Sequence, residues 1–223
     1  MSQIEHWIKN FTLFLFDFDG LLVNTEKLHF EAYRKMCQRR GVVLPWTLTE
    51  FFERAHFTAE GLREALYTQF PQLYEEEPCW EVLYEEKKQI YQELLEKGEL
   101  ELMPGVAPLL KRLETEKIKR CVVTNSWKIQ VDEIKKHLPL LDSIPLWLTR
   151  ECYERAKPDP DGYQTALKLL AEQGDVSIGF EDSMRGLCAL IDAKVDQAVL
   201  ISPWDYPQMR KNLPVGIECY SSF

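Results

Sequence analysis

"FLFDFDGLLVNTE" spans Phe14–Glu26 and places two aspartates, Asp17 and Asp19, directly after a run of apolar residues. Side chains two positions apart on a strand point to the same side, so we expect both carboxylates on one face. Gly20 opens a turn, and the acids would lie at the carboxyl end of the strand, the edge at which open α/β sheets bind ligands. A calcium loop would need another oxygen ligand near position 21, where Leu21 stands. Two such close carboxylates therefore predict a different bound cation, since they repel each other without one.

Five short apolar runs are predicted to be strands, at 12–16, 120–124, 144–148, 176–180 and 197–201. Most of them lack the alternation of a strand with one wet face, which is typical of a parallel sheet covered on both faces. Amphipathic helical patterns lie between the later runs. Strands that alternate with helices predict an α/β fold with helices on both faces of a parallel sheet.

The interval from residue 25 to residue 100 breaks this alternation. It contains no convincing central strand, and its apolar spacing predicts helices at 25–40, 59–69 and 80–97. We therefore predict an α/β core formed by 1–24 and 101–223, with a helical domain of residues 25–100 inserted after the first strand.

Composition limits the classes of function. The chain has 223 residues, of which 45% are hydrophobic, so it can bury a core of one large domain or of a domain with an insertion. A net charge of −9 argues against nucleic acid or an anionic membrane as the main partner. The six cysteines form no C-x-x-C pair and are expected to be reduced and mostly buried. Since the run "FTLFLF" is too short for a signal sequence or a membrane span, we expect a cytoplasmic protein.

A second acidic pair, Glu181 and Asp182, ends the apolar run "VSIGF". Alone, such a pair is commonly found at the start of a helix, where the helix dipole favours negative charge. Together with Asp17 and Asp19, it predicts four acids at two neighbouring strand ends that converge on one hard cation. All-oxygen ligands of this kind suit Mg²⁺.

Two further predicted strand ends carry polar side chains. "CVVTNS" places Thr124 and Asn125 after a strand, where they can donate to anionic oxygens or cap the following helix. "AKPDPDGY" supplies Lys157 in a loop that two prolines stiffen. A lysine in a loop is usually solvated, and its position among the strand ends is what makes Lys157 a candidate.

The four motifs "DFDGLLVNTE", "VVTNS", "KPDPDGY" and "GFEDSMRG" occur in this order, and with them the sequence resembles the haloacid dehalogenase-like hydrolase superfamily over almost its whole length. The resemblance implies a Rossmann-like parallel sheet of five strands in the order 5-4-1-2-3, with an α-helical cap inserted after the first motif. It also implies that Asp17 is the nucleophile and Asp19 the general acid/base.

The same resemblance implies that Thr124 and Lys157 hold the phosphoryl group. It implies a Mg²⁺ site formed by Asp17, the backbone carbonyl of Asp19, and Asp182, with Glu181 assisting. Gly20 and Asn125 are predicted to contact the phosphate. An attacking carboxylate and a phosphate anion repel each other, and Mg²⁺ with Lys157 would neutralise that repulsion.

Within the superfamily, the sequence is most similar to the β-phosphoglucomutase-like group, whose cap is helical. His29 stands where that group carries a cap histidine linked to the acid/base, although an ordinary histidine on a helix face is an equal alternative. Lys87 matches a cap lysine, or it belongs to a solvated helix face. Thr58 stands where the mutases have an arginine that binds phosphate; the other candidates for that role are Arg54, His56 and Arg63.

These features predict a Mg²⁺-dependent phosphatase, a phosphoric monoester hydrolase, for a small phosphorylated metabolite such as a sugar phosphate. The alternatives are a phosphomutase that acts on hexose 1-phosphate and a non-catalytic binding protein that kept the fold. The intact set of Asp17, Asp19, Lys157 and Asp182 speaks against the last. The sequence specifies neither the substrate nor the oligomeric state, for which we expect a monomer.

Overall fold

The computed structural model describes residues 2–55, 61–97, 100–202 and 213–223. The chain divides into two compact units. We call Met1–Asn24 with Leu100–Phe223 the sheet unit and Thr25–Glu99 the helical unit.

The described residues form, in chain order, α1 (Gln3–Asn10), β1 (Leu13–Phe16), α2 (Glu26–Arg39), α3 (Leu48–Ala55), α4 (Gly61–Gln69), α5 (Pro71–Glu76), α6 (Trp80–Lys97), α7 (Val106–Thr115), β2 (Lys119–Val123), α8 (Lys128–His137), β3 (Leu146–Leu148), α9 (Asp161–Leu170), β4 (Ser177–Glu181), α10 (Met184–Asp192), β5 (Gln197–Ile201) and β6 (Glu218–Tyr220). Two short 3₁₀ helices, Pro139–Ser143 and Arg150–Cys152, flank β3.

The sheet is parallel throughout, and its strand order is β3-β2-β1-β4-β5-β6. The predicted order 5-4-1-2-3 of the first five strands is confirmed, but the predicted number of strands is wrong because β6 adds a sixth. This strand is three residues long, Glu-Cys-Tyr, and mostly exposed, so it has no apolar run that a sequence pattern could reveal. The strand forms because its backbone pairs with the edge of β5.

The apolar run of β1 is continuous because both of its faces are buried. Leu13 and Leu15 belong to a core cluster that includes residues of α9 and α10, such as Tyr163 and Leu190. Phe14 and Phe16 point to the other face, where the ring of Phe16 stacks on Phe180 with the centroids 5.4 Å apart. Alternation along the strand therefore predicts residue 17 on the face of Leu13, Leu15 and α9.

The α1 helix covers the aromatic face and was not predicted from the sequence. Its Trp7 is buried, with its ring edge-to-face on Phe180 at 4.8 Å. A capping box between Ser2 and Glu5 starts the helix, because each side chain bonds the other residue's backbone N–H. The helix is only eight residues long, too short for a periodic pattern to stand out.

The helical unit contains α2–α6, in which α2 packs against α6. The predicted helices at 25–40, 59–69 and 80–97 correspond to α2, α4 and α6, while α3 and α5 were missed. Residues 59 and 60 of the second prediction lie outside the described part of the chain. Pro71 occupies the first turn of α5, a position at which proline is tolerated, and thereby separates α5 from α4. Both missed helices are short, and burial of Phe51, Phe52 and Leu73 holds them in place.

None of the helices in the described ranges has the length and the apolar composition that crossing a bilayer requires. All six cysteines are reduced thiols. Cys37 and Cys121 are buried, whereas the other four are exposed, so the expectation of mostly buried thiols is wrong. The four exposed positions are Cys79, Cys152, Cys188 and Cys219.

Candidate active site

Asp17 directly follows β1 at the carboxyl edge of the sheet, and its backbone N–H donates to the carbonyl of Phe180 in β4, 3.0 Å away. The chain then turns at Gly20, whose φ of 77° lies in the left-handed region that glycine adopts without strain. The Gly20 N–H donates to the carbonyl of Val23 at 2.9 Å. In this structure Gly20 therefore shapes the turn after the two aspartates, and its phosphate contact stays a prediction.

Lys157 lies at the centre of the site, and its ammonium group is buried. Nζ lies 2.5 Å from Asp17 Oδ1 and 2.6 Å from Glu181 Oε1. It also lies 2.7 Å from the carbonyl of Val123 and 3.0 Å from Tyr163 Oη. An ammonium has only three protons, so the longest contact, to Tyr163, is the weakest of the four. The lysine found by its loop position is thus held by acceptors from three strand ends and one helix.

The two carboxylates beside Lys157 determine the electrostatics of the site. Burial, and then the charge of Glu181, raise the pKa of Asp17 to about 8, against the opposing effect of Lys157. Burial disfavours the charged form of Lys157, but the charges of Asp17 and Glu181 outweigh it and raise the pKa of the amine. Lys157 therefore stays protonated, whereas a proton or another cation is still needed to balance the acids.

Asp17, Glu181 and Asp182 form a buried acidic cluster in which one carboxylate oxygen of each lies within 4.8 Å of the others. One ammonium cannot neutralise three carboxylates, so the cluster fits a hard divalent cation. Gly186, in the first turn of α10, leaves space for this arrangement. A Cβ at that position would overlap the carboxylate of Glu181.

The carboxylate of Asp19 accepts hydrogen bonds from hydroxyl groups at the end of β2. Ser126 Oγ donates to Asp19 Oδ2 at 2.6 Å, and Thr124 Oγ1 lies 3.4 Å from the same oxygen. The Thr124 hydroxyl also accepts from the Ser126 N–H at 2.9 Å, which fixes the turn after β2. Within the sheet unit, Asp17 thus contacts an ammonium, whereas Asp19 contacts hydroxyl donors.

Asn125 binds the loop of Lys157. Its Oδ1 accepts from the Lys157 N–H at 3.2 Å and lies 3.0 Å from Tyr153 Oη, which itself donates to the carbonyl of Thr124 at 2.6 Å. These bonds join the end of β2 to the lysine loop. The predicted phosphate contact of Asn125 stays a prediction, and the observed contacts give its side chain a bracing role.

His29 and Lys87, predicted separately, lie side by side in the helical unit. Lys87 Nζ is 2.7 Å from His29 Nδ1, although 58 positions separate them in the chain. The His29 ring stacks on Tyr91 with the centroids 4.1 Å apart. Lys87 is buried, so the alternative of a solvated helix face is wrong for this residue.

The predicted substitutes for a phosphate-binding arginine are only partly described. Thr58 and His56 lie outside the described residues. Arg54 lies over the ring of Trp46, 4.6 Å from its centroid. Arg63 lies in the first turn of α4. Their role in binding a phosphate stays a prediction.

Three polar residues around the site were not singled out from the sequence: Ser126, Tyr153 and Tyr163. Ser126 and Tyr163 both occur inside the motifs quoted above, at the ends of "VVTNS" and "KPDPDGY". The spacing of Ser126, two positions after Thr124, was the available signal. Tyr153 follows the 3₁₀ helix Arg150–Cys152 and carries no comparable signal in the sequence, because its hydrogen-bond partners come from the end of another strand.

Comparisons with known proteins agree with this fold. The family model described as haloacid dehalogenase-like hydrolase matches residues 14–200. A phosphorylated carbohydrates phosphatase of Thermotoga maritima is 30% identical over 192 residues, covering 82% of each chain. A β-phosphoglucomutase of Bacillus subtilis is 25% identical over 80% of this chain and 78% of its own.

The solved structure of CbbY from Rhodobacter sphaeroides in complex with phosphate has the same fold, with a TM-score of 0.71, 24% identity, and coverage of 94% of this chain and 93% of that one. The chain belongs to the haloacid dehalogenase-like hydrolase family, as the motifs predicted. Phosphatase names among its relatives bear out the predicted class of enzyme.

Proposed function

We propose that this protein is a Mg²⁺-dependent phosphatase that hydrolyses a small phosphomonoester through a phosphorylated Asp17. The observation that carries the proposal is the buried group of Asp17, Glu181 and Asp182 around Lys157 at the carboxyl edge of the sheet. We propose the sheet unit as the catalytic core and the helical unit as the cap that the resemblance implies.

In the proposed first step, a carboxylate oxygen of Asp17 forms a bond to phosphorus while the bond from phosphorus to the leaving oxygen breaks. Lys157 neutralises the phosphoryl oxygens, and Thr124 donates to one of them. Asp19 gives its proton to the leaving oxygen. When bound at Asp17, the backbone carbonyl of Asp19, Glu181 and Asp182, Mg²⁺ supplies positive charge that stabilises the negative charge of the transferred group.

In the second step, a water oxygen bonds to phosphorus, Asp19 takes the proton of that water, and the bond to Asp17 breaks to release inorganic phosphate. Ser126 supports the role of Asp19, since its hydroxyl bond of 2.6 Å holds the carboxylate in one orientation. Splitting the reaction into two displacements is what a carboxylate nucleophile contributes.

A phosphomutase is the second candidate, favoured by the similarity to the β-phosphoglucomutase of Bacillus subtilis. Such an enzyme must hold a second phosphate, which bidentate arginine contacts do well. Thr58, at the matching position, is uncharged. We therefore favour net hydrolysis.

One assay tests both candidates. The purified protein is incubated with Mg²⁺ and a panel of phosphorylated small molecules, including β-glucose 1-phosphate with a trace of the 1,6-bisphosphate, and both free phosphate and sugar-phosphate isomers are measured. We expect Mg²⁺-dependent release of phosphate from at least one compound. Isomerisation that greatly outruns phosphate release would favour the mutase, and full turnover after exhaustive chelation would refute the metal requirement.

A further inference from the structure

Tyr163 brings a hydroxyl group into the centre of the acidic site. Its ring lies in the first turns of α9 and packs in the core cluster with Leu13 and Leu15, fully buried. Oη donates to Glu181 Oε1 at 2.6 Å and accepts from Lys157 Nζ at 3.0 Å. The ring centroid is 4.7 Å from the same Nζ.

The direction of these hydrogen bonds follows from the chemistry of the groups. An ammonium can only donate, so the Tyr163 hydroxyl is the acceptor towards Lys157 and its own proton is available for Glu181. Glu181 Oε1 therefore receives two donors, from the lysine and from the tyrosine. Gly186 lies close against the same carboxylate, because a Cβ at that position would overlap it.

Packing alone does not account for the hydroxyl. A phenylalanine would fill the same volume, and a buried hydroxyl costs free energy unless it is bonded. The hydroxyl contacts Glu181 and Lys157. The proposed function assigns binding of the cation to Glu181 and binding of the phosphoryl group to Lys157. We propose that Tyr163 is a positioning residue, which fixes the Glu181 carboxylate and the Lys157 ammonium at the spacing that the cation and the phosphoryl group require.

This inference rests on the proposed function for the roles of Glu181 and Lys157, but its test does not need turnover. Groups that orient a metal-binding carboxylate typically change metal affinity or activity by about 10–100-fold when they are removed. The test is Tyr163→Phe, with Mn²⁺ binding to the substrate-free protein measured by calorimetry. We expect Mn²⁺ to bind about 10-fold or more weakly.

Tyr220→Phe is the matched control. Tyr220 Oη also donates to a glutamate, Glu218 Oε2 at 2.7 Å, but this pair lies in the edge strand β6. Loss of this hydroxyl should leave Mn²⁺ affinity within about twofold of the wild type, since a surface bond of this kind contributes little. Equal weakening by both substitutions would show a general effect of losing a tyrosine hydroxyl and would overturn the proposal.

A double-mutant cycle with Glu181→Gln tests whether Tyr163 acts through Glu181. If it does, Tyr163→Phe has less than about a twofold further effect in the Glu181→Gln background. Full additivity of the two effects would place the action of Tyr163 elsewhere and contradict the inference.

A second variant keeps the test decisive if Tyr163→Phe does not fold, as judged by circular dichroism. Incorporation of 4-aminophenylalanine at position 163 restores an N–H donor towards Glu181, and we expect its Mn²⁺ affinity to stay closer to that of the wild type than the loss of about 10-fold expected without a donor. Wild-type affinity in Tyr163→Phe, or a loss of about 10-fold or more with the amino analogue, would overturn the positioning role. Failure of the proposed function would instead appear as wild-type protein that binds Mn²⁺ but releases no phosphate.

Discussion

Two buried lysines, one in each unit, differ in the contacts that they make inside their own unit. Lys157 in the sheet unit contacts two carboxylates, Asp17 and Glu181. Lys87 in the helical unit contacts Nδ1 of His29 and lies 4.7 Å from the ring centroid of Tyr91. The rings of Tyr33 and Tyr84 are also near its Nζ, at 5.2 and 5.8 Å.

The contacts around a buried lysine indicate whether the local charges are balanced. Aromatic faces attract the Lys87 ammonium through the ring quadrupole, and the bond to His29 adds to this, so both contacts lower the free-energy cost of its burial. Around Lys157 the negative charge of two carboxylates exceeds what one ammonium balances, and such an excess is expected where a further cation or a reacting group enters. We therefore expect larger effects from substitutions beside Lys157 than from loss of these contacts around Lys87.

The largest expected effect is on turnover, and it follows from removing one carboxylate beside Lys157. Asp17→Asn should lower the rate of phosphate release by at least about 10⁴-fold, as loss of a catalytic nucleophile typically does. The amide is isosteric with the carboxyl group and cannot ionise, so we expect the fold to persist, which circular dichroism measures. Asp142→Asn is the control, because its carboxylate is largely exposed, and it should keep normal turnover. Phosphate trapped covalently on any residue other than Asp17 would contradict the assignment.

The next effect is on stability. Lys157→Met keeps most of the side-chain volume but leaves Asp17 and Glu181 without their shared ammonium. Removing one partner of a buried ion pair typically costs about 3–5 kcal/mol. Chemical denaturation with chelator present measures the free energy of unfolding. A loss below about 1 kcal/mol would mean that bound protons or water stabilise Asp17 and Glu181 without the ammonium, so that the fold does not depend on this ion pair.

The sequence predicted the parts of this comparison that depend on local pattern. Apolar runs predicted the strands that bring residues 17, 124 and 181 to one edge, because the carboxyl ends of parallel strands share that edge. Strand β6 and helices α3 and α5 were not predicted from the sequence, because each is short and depends on pairing or packing with distant residues.

The sequence pattern could not predict contacts between side chains that are far apart in the chain. The bond from Tyr163 to Glu181 joins a helix to a strand end, and the direction of a buried hydroxyl depends on how α9 packs on the sheet. The same holds for Lys87, whose burial against His29 depends on the packing of α2 on α6. Periodicity places a residue on a helix face, but it does not say which partner that face meets.

The pH dependence of cation binding should show that the carboxylates beside Lys157 carry more negative charge than its ammonium balances. The folded-state pKa of Asp17 is about 8, against an ordinary value of 3.8, with burial as the largest cause. Between these values the folded protein binds more protons than the unfolded chain, so without a divalent cation stability falls as pH rises. Mg²⁺ competes with the same proton, and its affinity should rise by about tenfold per pH unit until the pKa is passed.

Melting temperatures with and without Mg²⁺, at about pH 6 and about pH 9, measure this competition. The stabilisation by Mg²⁺ should be larger at the higher pH, and the fall in metal-free stability that Asp17 causes should be absent from Asp17→Asn. A shift caused by Mg²⁺ that is the same at both pH values would show that Asp17 is already ionised in the metal-free protein.

The smallest expected effect concerns the contacts of Lys87 inside the helical unit. Lys87→Met keeps an unbranched chain in the space near Tyr33 and Tyr91, and it removes the hydrogen bond to His29 together with the cation–π attraction. These two contributions predict a loss of about 1–2 kcal/mol in the free energy of unfolding, less than for Lys157→Met, in which two buried carboxylates lose their ammonium.

Lys88→Met is the matched control for Lys87→Met. This neighbouring lysine pairs with Glu85 at the surface, so its loss should change the free energy of unfolding by no more than about 0.5 kcal/mol. If Lys87→Met instead costs as much as Lys157→Met, then charges beyond His29 and the aromatic rings hold the Lys87 ammonium. In that case the contacts of Lys157 with two carboxylates, compared with those of Lys87 with His29 and the aromatic rings, would not predict the difference in stability between the two variants.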